Sequence, residues 1–193
     1  MTDKHPATSP NTEVPLTPPR VDVADQLTER LAQLGQEHCV FARNGELFAV
    51  PVSAAREVLF DEVPAPVPRA PEILLGVINL RGEVLPLVRF DLLLGFEPRP
   101  FTPEDHVLVL SVENVHMGLV VDRVREVRPI SPKDIRPASA AEVGRPHVKG
   151  FWEGPTGVVY ILDPQSLARQ AVAMTQEGFQ QRRAQGFSLR TAE

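Results

Sequence analysis

The sequence predicts a mainly β fold: two sets of roughly five short strands, with an amphipathic helix before them and a helix after them. Three observations carry this. Short aliphatic runs recur between Gly, Asn and Pro clusters from residue 38 to residue 162. Asn44-Gly45, between Cys39–Arg43 and Glu46–Pro51, is the strongest short hairpin signal available. The twenty prolines concentrate in the first twenty residues and in the connections, which favours short strands over long helices.

In chain order, Met1–Arg20 is rich in Pro and Thr with little to bury, so residues 1–21 are expected to be a disordered arm, either a passive tail or a docking peptide. Residues 22–36 are expected to form an amphipathic helix. Val23, Leu27, Leu31 and Leu34 share one face, Asp22 and Asp25 suit its start, and Gly35 suits its end. After the first hairpin, Ser53–Ala55 reads as a short turn and Arg56–Asp61 as a strand. Pro64–Pro71 reads as an extended connector.

Val77–Leu80 and Val84–Val88 form the central pair, so aliphatic that both faces are expected to be buried. Arg81 lies in their turn, where it must be paired or poised for a ligand. Glu57 is the carboxylate expected to meet it. Phe90–Leu94 reads as a helical turn ended by Gly95.

Glu97–Asp105, with prolines at 98, 100 and 103, is the candidate boundary between subdomains of about residues 38–96 and 104–175, with strand exchange between them left open. His106–Val112 and His116–Val121 form a second hairpin, which Val124–Arg128 continues as a solvated edge. Ile130–Pro146 is loop-like. Val148–Trp152 and Val158–Leu162 are the last strands, and Pro164 opens a helix with Leu167, Ala171 and Met174 on one face. Residues 176–193 read as a polar tail that frays.

The totals and the motifs argue against chemistry. Net charge is −5 with no cationic stripe, which disfavours nucleic acid. The single cysteine, Cys39, fits a reducing, cytoplasmic setting, and no apolar run reaches membrane-spanning length or resembles a signal peptide. The five histidines lack metal-ligand spacing, although His106 and His116 flank one hairpin and could approach each other. There is no nucleophile elbow and no phosphate-binding loop. Asp91, Asp122 and Asp163 punctuate apolar runs, as turn-forming side chains do. No catalytic residue, metal or cofactor is therefore expected, and a binding module remains, with Asn79 and Arg81 as its first candidates. Phe151 and Trp152 are either core residues or an exposed anchor.

Gly76-Val77-Ile78-Asn79-Leu80-Arg81-Gly82 followed by Leu85-Pro86 resembles the signature of the CheW family of chemosensory adaptors. Further ordered matches are Phe48-Ala49-Val50-Pro51, Glu57-Val58, Gly118 to Val124, Ile135-Arg136-Pro137, Val148-Lys149-Gly150 and Ile161-Leu162-Asp163. The resemblance implies two five-stranded, SH3-like β-barrels packed together without a catalytic site. It implies two partners: the regulatory domain of a CheA-type histidine kinase and the cytoplasmic tip of chemoreceptors. It further implies an apolar inter-barrel groove of Ala55, Val58, Val107, Gly118, Val124 and Val127, with Glu57 and Arg81 beside it. Arg89 stands where the family usually has an aspartate, and the N-terminal helix and long C-terminal helix exceed a minimal member. The rival readings are a small β-barrel enzyme and a ligand-binding module unrelated to chemosensing. A groove lined by aliphatics would count against the enzyme.

Overall fold

The structure, a computed structural model, describes residues 35–138, 141 and 144–188. The expected arm and the helix over residues 22–34 lie outside the described residues. Eleven strands, β1 (Gln36–Arg43), β2 (Glu46–Pro51), β3 (Ala55–Leu59), β4 (Leu74–Leu80), β5 (Glu83–Arg89), β6 (His106–Val112), β7 (Val115–Val121), β8 (Arg123–Ile130), β9 (Arg136–Pro137), β10 (Val148–Gly154) and β11 (Gly157–Leu162), form two sheets. Among the described residues the α-helices α1 (Phe90–Leu93) and α2 (Pro164–Ser188) and a 3-10 turn over Pro132–Asp134 accompany them. Gln36, assigned from the sequence to the helix, already belongs to β1.

The six-stranded sheet has the order β8-β1-β2-β11-β10-β9 and the five-stranded sheet β3-β6-β7-β5-β4. The sheets therefore do not divide at residues 97–105: β3 to β7, on both sides of that connector, make one sheet, and the first hairpin joins the last four strands in the other. Nor does β8 extend the β6–β7 hairpin. It crosses over at Asp122 and pairs with β1.

Each sheet curls on a small core of its own. Ile78, Leu85, Leu87, Val107, Val109 and Val120 fill the five-stranded one, and Val40, Ala49, Ile130, Val159 and Ile161 the six-stranded one. The largest cluster lies between the sheets, around Phe41, Phe48 and Phe90, whose ring centroids are 5.3–6.0 Å apart. Such aromatic contacts add to the burial of apolar area that stabilises the pair of sheets. Leu167, Ala168 and Ala171 of α2 dock on this same cluster. The helix runs on to Ser188 rather than fraying beyond Phe179, because Gln, Glu, Arg and Ala are good helix formers and no proline intervenes.

One buried ionic cluster pins the sheets together, and the sequence reading missed it. Arg43, the last residue of β1, is 2% exposed and forks onto Asp91 of α1, its Nε donating at 2.5 Å to Oδ1 and its Nη2 pairing with Oδ2. Its Nη1 reaches Asp122 at 3.1 Å and Asp105 at 3.7 Å. Arg99, from the proline connector, pairs with Asp105 and, at 2.7 Å, with Asp122. Hydrogen bonding to Asp105 holds the Arg99 guanidinium well above its ordinary range. Asp91 and Asp122 are thus not mere turn residues. Asp163 does behave as expected, accepting from the Gln165 N–H at 3.0 Å at the start of α2.

Candidate functional site

Strands β3 and β8 end their respective sheets, so each presents one unpaired edge. Each also carries a β-bulge. In β3, Ala55 pairs with Leu110, Glu57 with Val109 and Val58 with Leu108, so Arg56 is the extra residue. In β8, Val124 pairs with Phe41, Glu126 with Val40 and Val127 with Cys39, so Arg125 is the extra residue. The segments read Ala-Arg-Glu-Val and Val-Arg-Glu-Val.

The consequence is geometric. In a regular strand, residues three apart point to opposite faces. A bulge restores them to one face. Directly paired residues share a face, and Leu108, Leu110, Phe41 and Cys39 all belong to the core between the sheets. Ala55, Val58, Val124 and Val127 therefore all lie on the faces that the two edge strands turn toward the core between the sheets, and these aliphatic faces are the seam of the molecule. Ala55, Val58 and Val124 pack on the shared core, while Val127 remains 56% exposed at its mouth. Phe60 and Val63, just beyond β3, add exposed apolar surface at 58% and 86%.

A histidine spans the seam. His106 opens β6 in the five-stranded sheet, and its Nδ1 accepts the main-chain N–H of Val124 at 3.0 Å. Phe60 meets its ring edge-on at 4.6 Å. His116, at the far end of the β6–β7 hairpin, is exposed and opposite Ser111, so the two histidines do not approach.

The other residues named from the sequence fall in three places. Val107 and Gly118 are inside the five-stranded sheet and have no surface to offer a partner. A Cβ at Gly118 would stand 2.6 Å from both Leu87 Cδ2 and Val107 Cγ1. Asn79 and Arg81 sit at the tip of the β4–β5 hairpin, where Arg81 (φ +53°) and Gly82 (φ +92°) make a type I′ turn. Asn79 Oδ1 accepts the Gly82 N–H at 2.7 Å. The central strands are fully buried on one face, through Ile78, Leu85 and Leu87, whereas on the other Val77 and Pro86 are half-buried and Asn79 and Val84 are exposed, so the expected burial on both faces is not met.

The expected Arg81–Glu57 pair forms, with Nη2 2.8 Å from Oε2. It joins β3 to the β4–β5 turn, at opposite ends of the sheet order, and so clasps the curl. Arg81 is 74% exposed, however, so solvent screens the pair. A double-mutant cycle of Arg81→Ala and Glu57→Ala in urea should give a coupling below about 1 kcal/mol. A coupling of several kcal/mol would mean that the clasp governs the fold.

Among the described residues no group of three or more His, Cys, Asp or Glu could hold a metal. His147 Nδ1 lies 2.7 Å from Ser166 Oγ, yet its ring also bonds the Leu93 carbonyl, so it ties β10 to both helices and leaves no free base. Burial raises the Cys39 thiol above its ordinary value, which keeps it protonated and inert. Trp152 is half-buried beneath Arg128, 5.5 Å from the ring centre, as a core residue rather than an exposed anchor. Arg89 donates to the Arg99 carbonyl at 3.1 Å and so helps hold the connector.

Desolvation by burial lowers the pKa of His38, His106 and His147. The unfolded chain then binds more protons below its ordinary histidine pKa of about 6.5. Stability should be full above that pH and fall as pH drops toward the folded values, by at most about 1.4 kcal/mol per histidine per pH unit. Urea midpoints across that range check this, and a flat profile would contradict it.

Comparison with known proteins points one way. A family model described as the CheW-like domain matches residues 37–172. The chemotaxis protein CheW of Rhizobium meliloti is 37% identical over 109 residues, which are 56% of this chain and 70% of that protein. The CheW of Treponema pallidum is 24% identical over 129 residues, 64% of this chain and 76% of that one. The crystal structure of the scaffolding protein TtCheW from Thermoanaerobacter tengcongensis superposes with a TM-score of 0.60 at 25% identity, covering 67% of this chain and 84% of that chain.

Proposed function

From the premise that this chain belongs to the CheW-like family, and is thus a non-catalytic adaptor of chemosensory arrays, we propose that it joins a CheA-type histidine kinase to chemoreceptor tips in the cytoplasm. The family couples receptors and kinase in general. The finer assignment is that the receptor tip docks in the seam between β3 and β8, against Ala55, Val58, Val124 and Val127. Asn79, Arg81 and Glu57 lie outside that seam, in the β4–β5 tip and its clasp.

The observation that carries this is the matched pair of bulges. Two free strand edges, which a protein ordinarily shields, instead each carry two aliphatic residues on the face turned toward the shared core. A half-buried aliphatic strip that ends in the exposed Val127, with Phe60 and Val63 exposed nearby, supports an interaction site rather than a reaction site. The seam's aliphatic lining also argues against the enzyme reading.

The reading requires that the kinase bind outside the seam, so that both partners are held at once. The test is reconstitution: a receptor cytoplasmic fragment and the kinase regulatory domain are mixed with and without this chain. Co-sedimentation of kinase with receptor only when the chain is present is expected. Kinase and receptor that ignore the chain would refute the reading.

A further inference from the structure

Edge strand β8 has main-chain donors on its free side, and one of them does not face solvent. The Val124 N–H points across to the five-stranded sheet and ends on His106 Nδ1. A backbone donor can be accepted only by an unprotonated ring nitrogen, so the His106 proton sits on Nε2. The same ring receives Phe60 from the end of β3. One imidazole thus touches both walls of the seam.

We propose that His106 is the positioning residue of the docking groove: its Nδ1 lone pair ties the Val124 end of β8 to the five-stranded sheet, and protonation of that nitrogen breaks this tie, so docking weakens as pH falls. A protonated Nδ1 would direct a second donor at the Val124 N–H, and the bond would become a repulsion.

The charges facing the ring come from three elements. Arg123 of β8 disfavours the protonated ring, whereas Asp105 ahead of β6 and Asp61 beyond β3 favour it; desolvation is the largest influence and keeps the ring neutral at neutral pH. Histidine titrates where modest acidification can reach it. The inference rests on the groove reading above and adds proton control to it.

Two measurements on the full chain test it. In nuclear magnetic resonance titrations of the wild type, the Val124 amide should shift and exchange faster in step with His106 ring protonation. A Val124 amide that stays unchanged while His106 titrates would overturn the proposal. The second measurement is binding of a receptor cytoplasmic-tip fragment at about pH 7.5 and about pH 5.5.

Wild-type affinity should fall, by at most about tenfold, because the His106 pKa lies below the ordinary value of about 6.5. His106→Asn places a non-titrating Oδ1 where Nδ1 stood and retains His38 and His147, so it should bind equally at both pH values. If it loses affinity as the wild type does, the proposal fails. Absence of tip binding even at about pH 7.5 would count against the groove reading alone, and the Val124 amide would still decide the role of His106.

Discussion

Arg43→Ala should remove about 3–5 kcal/mol of stability, the largest loss expected from any single truncation outside the aliphatic core. The guanidinium neutralises Asp91, whose side chain is fully buried, so its removal leaves that carboxylate without its charge partner, while Asp105 keeps Arg99. A domain typically has about 5–15 kcal/mol in all. The variant should therefore unfold at much lower urea. Arg43→Met combined with Asp91→Leu should recover a large part of the loss, because replacing both ends of a buried pair is far less costly than orphaning one. Equal destabilisation of the single and the double variant would show that the pair is not the unit that matters.

Gly118→Asp should abolish folding rather than weaken docking selectively. The family resemblance alone places Gly118 in the groove, but its backbone runs between Leu87 and Val107 in a closed core. Even Gly118→Ala should cost on the order of 1–3 kcal/mol, since a Cβ would have to displace two side chains by several tenths of an ångström. The aspartate adds an unpaired buried charge to that overpacking. Circular dichroism and solubility of the two variants check this. A folded, cooperative Gly118→Asp variant would mean that the five-stranded sheet opens at β7.

What the sequence disclosed was local. The Asn44-Gly45 turn, with both residues at positive φ, follows from its dipeptide, and so does Gly95 after α1. The Arg81–Glu57 pair was also legible, because a lone cation beside aliphatic strands demands a carboxylate. Its weakness was not, since nothing in the sequence shows that a type I′ tip carries the guanidinium out to solvent.

The Arg43 cluster was hidden by distance along the chain. Its members stand at 43, 91, 99, 105 and 122 and meet only once both sheets have formed. Period-two reasoning puts Val124 and Val127 on opposite faces, and only the register with β1 reveals the bulge that reunites them. The recurrence of Arg-Glu-Val in β3 and β8 was the available signal. Sheet membership was obscured for a similar reason. Prolines mark a connector, yet they carry no information about which sheet the chain rejoins.

The groove itself is tested most directly by the affinity of a receptor-tip fragment for Val127→Asp. Val127 is 56% exposed, so the substitution leaves the core intact and should shift the melting temperature little. It places a charge where the tip would have to desolvate it. Tip binding should fall by about tenfold or more, with binding of the kinase regulatory domain unchanged. Undiminished tip binding by the folded variant would place the receptor elsewhere on the molecule.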